Sequence, residues 1–370
     1  MLFVFKFIIT LDDFFFYVYH KIFYTIKIKN KNERILYIDI LNIVAIISVV
    51  ALHCNGIVHQ YSLSRAWATS LIVECVCYFA VPVFIMATGA KLLDYRKKYD
   101  TKTFFKKRFS KVLIPSIFWI FIMIIWKLNL GMLEINNIRD LLNIIFSNKM
   151  ESTYYFIWEI MGIYLTLPII SKIIENEKDN NLLWYYVIIF TIFNSFLPYI
   201  FSVFNITYNK SFSIRIADYY IYIILGYLLS KIEINKKSRV FLYIAGILSI
   251  LFRYIITYFL STKYGYLDRS TWGYTQFHCI ILSSAVFVFI KNIKYDIIND
   301  KVKIIIAKIA NCSFGIYLIH LIVKYYIVHI FNINVLSWKF RTFGIIAIYL
   351  ISLLIILLLK KIPIIKKIVA

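Results

Sequence analysis

The chain has 370 residues, 61% of them hydrophobic, and a formal net charge of +23. Soluble domains use roughly 45–50% apolar residues, so a chain with a mean hydropathy of +0.76 cannot keep most of its surface in water. Nucleic-acid binding is excluded too, because the basic residues sit in short loops between apolar runs instead of on one soluble domain, and the heavy use of Ile, Lys, Asn, Tyr and Phe matches the codon bias of an AT-rich genome.

Residues 1–32 carry apolar stretches broken by Lys6, Asp12, Asp13, His20 and Lys21, with no small-residue cleavage site after them. This is not the pattern of a signal peptide; an interfacial amphipathic segment or an upstream extension is expected. From residue 33 to 362 apolar runs near 20 residues recur, each long enough at about 1.5 Å per residue to cross roughly 30 Å of hydrocarbon. They fall at 36–57, 67–90, 112–130, 154–171, 182–203, 217–230, 240–260, 272–290, 309–331 and 342–360. Lipid leaves no partner for backbone groups outside a helix or closed barrel, so the expected fold is all-α, a polytopic membrane bundle of about ten transmembrane helices in one membrane domain. Lys and Arg concentrate in the N-terminal flank, in the loops that start at Lys91, Lys172, Lys231 and Lys291, and in the tail 363–370. By the positive-inside rule both termini are cytoplasmic.

Charged groups at membrane depth are costly, about 2.5–3.5 kcal/mol each on insertion scales, and are functional candidates by default. In the first span Asp39, Asn42 and His53 share one helix face. His53 lies about 24 Å along the axis from Tyr37, in the outer half. Asp39 is roughly 21 Å from His53 and cannot orient it directly; the expected partner is Glu74 in the second span or Glu159 in the fourth. In the ninth span Ser313, Tyr317, His320 and Lys324 form a second polar stripe. Trp158, Arg253, Gln276 and His278 also fall in the outer half, where they either line a hydrated cavity or pair off, Glu159 with Arg253 for instance. Histidines between helices also serve as packing groups, so both readings stand at this point.

On the cytoplasmic side the loop from Lys91 to Lys111 is densely basic and suits either a polyanionic ligand or anionic lipid headgroups. Its sharper part is Lys107-Arg108-Phe-Ser-Lys111, directly before Pro115. Cys54, Cys75, Cys77, Cys279 and Cys312 read as small buried hydrophobes, and neither a metal-ligand cluster nor a Gly-rich phosphate loop nor a Gly-x-Ser-x-Gly elbow occurs.

Four stretches together resemble the acyltransferase 3 family of integral membrane O-acyltransferases: Arg34 to Asp39 leading to His53, Ala80 to Gly89, Lys107 to Pro115 followed by Trp119, and Ser313 to His320. Tyr155 to Trp158 running to Pro168, and Leu225-Gly-Tyr227, are weaker matches. The resemblance implies that His53 is the essential histidine of the first helix, which would act as general base or transient acyl carrier; Glu74, Glu159, Tyr317, His320 and Lys324 are the further catalytic candidates, with Tyr317 or Lys324 near the oxyanion. It implies that Arg108, Lys111 and Lys107 bind acetyl-CoA or another acyl-CoA, although Lys111 stands where the family carries a second arginine and lacks its bidentate fork. Asn42 stands where many members have arginine. The implied acceptor is a hydroxyl of a surface glycan such as an exopolysaccharide, or of a lipid-linked sugar, contacted by Asp39, Asn42, Trp158, Arg253, Gln276 and His278. The implied setting is the bacterial cytoplasmic membrane beside glycan-synthesis proteins. The alternative is an exporter of a polysaccharide or lipid-linked sugar.

Overall fold

The computed structural model describes residues 35–176, 181–204, 206–207, 219–363 and 365–369; the expected segment 1–32 lies outside them. Among the described residues the chain is helical throughout, and it is a polytopic membrane helix bundle. Eight helices are long and apolar enough to cross a membrane, and Tyr220–Lys231 and Phe277–Lys291 are two shorter apolar ones. These ten elements coincide with the ten apolar runs.

Three features go beyond the sequence reading. The basic loop after Lys91 is mostly helical: the third span starts at Thr101 and runs to Asn129, passing through a wide π turn at Phe109–Leu113. The side chain of Asp100 caps it by accepting from Thr103 N at 3.0 Å, and hydrogen bonds from Thr103 hold that carboxylate below its usual range. The loop after the third span contains a helix, Ile138–Phe146, capped by Asn137. A further helix, Asp300–Ala310, precedes the ninth span. These segments carry too many charges to read as spans, yet each has a polar cap at its start, the local signal for a helix.

The second span is broken at Tyr78 and Phe79, between Arg65–Cys77 and Ala80–Leu92. Its inner half packs against the sixth span, Tyr220–Lys231, with backbone on backbone. A Cβ on Gly89 would overlap the carbonyl of Ile223, and one on Gly226 would overlap that of Met86. Lipid gives apolar helices no hydrophobic reason to associate, so close van der Waals approach across small residues has to supply it. At the same end Lys231 pairs with Asp94 at 2.7 Å, and Lys291 donates to the carbonyls of Leu229 and Ile232 at 2.8 and 2.6 Å. The carbonyls left over at the end of the sixth span are thereby answered.

These contacts hold the inner half of the second span beside the first, where its residues form one wall of the cavity described below. Gly89→Ala or Gly226→Ala is expected to destabilise the bundle by at least the 1–3 kcal/mol typical of overpacking, because the obstruction is backbone and cannot swing away. Thermal unfolding in detergent measures this; an unchanged midpoint in both variants would refute the close-packed interface.

Candidate functional site

The two polar stripes face each other. His53, near the outer end of the first span, and His320, in the middle of the ninth, meet with Nδ1 of His53 2.6 Å from Nε2 of His320. The rings lie 14° from parallel with centroids 4.9 Å apart. The other nitrogen of His320, Nδ1, is 2.7 Å from the carbonyl of Tyr317 and 3.2 Å from that of Ile316. A carbonyl only accepts, so Nδ1 carries the proton and donates it there. In neutral His320, Nε2 then has the lone pair, and it accepts from Nδ1–H of His53. This leaves Nε2 of His53 unprotonated, a base or nucleophile whose tautomer is set by the chain of hydrogen bonds behind it.

The expected partner of His53, Glu74 or Glu159, is therefore corrected to His320. Lys324 completes the arrangement by donating to the backbone carbonyl of His53 at 2.6 Å. This fixes the end of the first span. It also answers a carbonyl at a helix terminus, where no further helical amide follows. The hydroxyl of Tyr317 donates to the carbonyl of Thr153, so its proton is committed to joining the fourth and ninth spans. Neither group stands as a dedicated oxyanion donor.

A cavity of about 760 Å³ leads to this pair, within the usual range for small-molecule sites. It is lined by His53 and Tyr317 with Phe156 and Tyr155, and also by Asn42, Thr88 and Ser313. The Ser313 hydroxyl is buried without a partner, a donor free for a ligand. The mouth is basic: Lys91, Arg108, Lys111, Lys308, Lys360, Lys361, Lys366 and Lys367 all line it, and among the described residues no Asp or Glu does. Burial pushes Lys308 and Lys360 below the usual lysine range. The depth of the cavity follows from the first span: Asp39 lies 3.9 Å from Lys91 at the mouth, and it is 14 residues or about 21 Å from His53.

Of the other expected donor-binding groups, Arg108 lines the mouth beside the Tyr164 ring at 5.6 Å, and Lys111 joins it. Lys107 does not line the cavity; its ammonium sits 3.7 Å from the Tyr99 ring centre. The outer-half residues gather elsewhere. Arg253 is 2% exposed, 3.7 Å from Glu74, and stacked 3.3 Å from the Tyr78 ring centre. The anticipated pair of Glu159 with Arg253 is thus Glu74 with Arg253, and Glu159 is exposed on its helix. Trp158 packs near Phe146 at 5.6 Å. Gln276 closes its own turn, accepting from Gly273 N at 3.1 Å and donating to the Ser270 carbonyl at 2.6 Å. His278 donates to the Thr271 carbonyl at 3.0 Å. None of these six residues lines the cavity.

One polar group near the pair was not singled out in the sequence. His59 follows the first span in a short 3-10 turn, lies within electrostatic reach of His53, and has its ring centre 5.7 Å from that of Trp272. Burial, and then Arg269, lower its pKa below the usual histidine range. Its position just past an apolar run gave no periodic signal, which is why the sequence alone passed over it.

A membrane bundle whose cavity runs from a cation-rich mouth on one side to an imidazole pair about 21 Å deeper has the form of an enzyme that takes an anionic substrate from one face to a base near the other. Comparison with known families agrees: the acyltransferase domain matches residues 35–359. The chain belongs to that family of membrane acyltransferases. Comparisons with the curated proteins and with the solved structures return no match.

The buried pair of Glu74 and Arg253 gives a separate test of which groups are structural. Removing one partner of a buried pair leaves an uncompensated charge, so Glu74→Ala is expected to cost about 3 kcal/mol, with part of that recovered in Glu74→Ala, Arg253→Met. Unfolding midpoints in detergent read this out. Full stability with lost activity in Glu74→Ala would instead assign the carboxylate to the chemistry.

Proposed function

We propose that the protein moves an acetyl or other short acyl group from cytoplasmic acyl-CoA to a hydroxyl of an extracytoplasmic or lipid-linked glycan, in the cytoplasmic membrane of a bacterium. The observation that carries this reading is one cavity lined by eight cations and by His53, with no Asp or Glu among the described residues that line it. An acyl-CoA has the same polarity of shape: a polyanionic nucleotide at one end and a thioester at the other, joined by a long amide-bearing arm. Asn42, Thr88 and Ser313, which line the same cavity, suit the amides of that arm, and the aromatic residues Tyr155, Phe156 and Tyr317 suit a short acyl chain.

The chemistry assigned to His53 is general-base catalysis. Its Nε2 accepts the proton of the acceptor hydroxyl as the oxygen attacks the thioester carbonyl; the tetrahedral intermediate collapses, the C–S bond breaks, and the thiolate leaves with the proton. His320 holds the required tautomer and shares the positive charge that develops on His53 in the transition state. The acceptor approaches from the outer face, past His59 and Trp272. These offer an aromatic surface and a ring nitrogen to a sugar, and the nearby Arg269 suits an acidic or phosphate-linked one.

General bases contribute typically 10²–10⁴ in rate. His53→Ala is therefore expected to cut transfer of labelled acetyl from acetyl-CoA to surface glycan by about 10³-fold, and His320→Ala by about tenfold or more through loss of the tautomer lock. Both are measured on protein reconstituted in vesicles with unchanged CoA affinity as the control. Undiminished transfer by His53→Ala would remove the histidine from the reaction.

A further inference from the structure

The segment after the tenth span reads in sequence as a basic tail, yet it is built into the bundle. Val369 is fully buried, and it lies against the start of the ninth span so closely that a Cβ on Gly315 would sit 3.1 Å from the Val369 carbonyl and 3.0 Å from Ile356. Lys360 donates to the carbonyl of Asn311 at 2.8 Å. Between these two anchors the chain turns through a short helical segment, Ile365–Lys367, and presents Lys361, Lys366 and Lys367 to the mouth of the cavity.

Holding these cations together is unfavourable without an anion. Lys360 is half-buried, and the charge of Lys366 adds to the lowering of its pKa. The cations of the mouth come from four elements: Lys91 on the second span, Arg108 and Lys111 on the third, Lys308 on the helix Asp300–Ala310, and the largest group, Lys360, Lys361, Lys366 and Lys367, on the C-terminal segment. A diphosphate engages the cations of the third span. The C-terminal group implies a second, separate anionic centre on the same ligand. It lies past Leu359, beyond the end of the tenth span, and hence at the periphery of the mouth, far from His53. Lysine ammoniums act as point charges without a planar fork, which suits a phosphomonoester dianion.

The geometry points to a phosphomonoester subsite formed by Lys366 and Lys367 with Lys360, which holds the 3′-phosphate of the donor nucleotide and makes up for the missing second arginine at Lys111. This inference rests on the acyl-CoA reading above. An anionic lipid headgroup offers the same phosphate chemistry, and the test separates the two.

The full-length protein is purified and placed in nanodiscs of phosphatidylcholine alone or with phosphatidylglycerol, and binding of CoA and of dephospho-CoA is measured for wild type, Lys366→Gln with Lys367→Gln, and Val369→Asp. The expected result is that wild type prefers CoA to dephospho-CoA by about tenfold, the scale of charge-assisted hydrogen bonds, in both lipid compositions. The double glutamine variant loses that preference while keeping its affinity for dephospho-CoA. Val369→Asp, which releases the segment without altering a lysine, loses it as well, so the inference stays testable if one variant fails to fold. A double variant that keeps the wild-type preference overturns the subsite, as does a preference that vanishes whenever phosphatidylglycerol is present, which assigns the lysines to lipid. A wild type that binds neither nucleotide overturns the acyl-CoA reading itself, and the subsite with it.

Discussion

An imidazole at membrane depth needs both ring nitrogens answered, because hydrocarbon supplies nothing and an unsatisfied polar group costs free energy there. In this protein one histidine answers the other. His320 anchors its Nδ1 proton on the carbonyl of its own preceding turn, which leaves its Nε2 to accept from His53. Among the described residues nothing hydrogen-bonds to the lone pair that results on His53, and His53 lines the cavity. The requirement that buried polar groups be satisfied thus yields a defined base, and the first and ninth spans are pinned together by the same hydrogen bonds, with Lys324 closing the arrangement on the His53 carbonyl.

The rest of the bundle can be understood as support for that meeting point. The inner half of the second span lies against the sixth through Gly89 and Gly226, and this places Val81, Phe84 and Thr88 in the cavity wall. The hydroxyls of Tyr317 and Tyr154 bind the carbonyls of Thr153 and Leu318, so the fourth span is registered on the ninth by reciprocal bonds. The wide turn at Phe109–Leu113 lets the third span carry Arg108 and Lys111 at the mouth. Such π turns commonly mark functional sites, since the extra residue re-aims a side chain without ending the helix.

Apolar run length made the spans legible in the sequence, and helical periodicity made each polar stripe legible. Asn42 and His53 of the first stripe do line the cavity, as do Ser313 and Tyr317 of the second. Periodicity within one helix carries no information about which helix stands opposite. Hence the pairing of His53 with His320, 267 residues away, was missed in favour of a carboxylate, and Glu74 was found with Arg253 instead. The same gap explains Gln276 and His278, whose hydrogen-bond partners are local, and Trp158, which packs near Phe146. The basic tail was readable as charge but not as a wall, because the feature that docks it is one buried valine against one glycine. Residues 1–32 fall outside the described chain, and the expectation for them stands apart from this account.

One passage connects the cationic mouth to His53. Photocrosslinking tests it most directly, with an acyl-CoA that bears a photoreactive group on its acyl chain, in protein held in vesicles, with adducts mapped by mass spectrometry. The account predicts adducts on the inner cavity wall, at His53, Phe156 or Tyr317, that disappear when unlabelled CoA is added in excess. Adducts found only on lipid-facing residues, or labelling that excess CoA leaves unchanged, would contradict it.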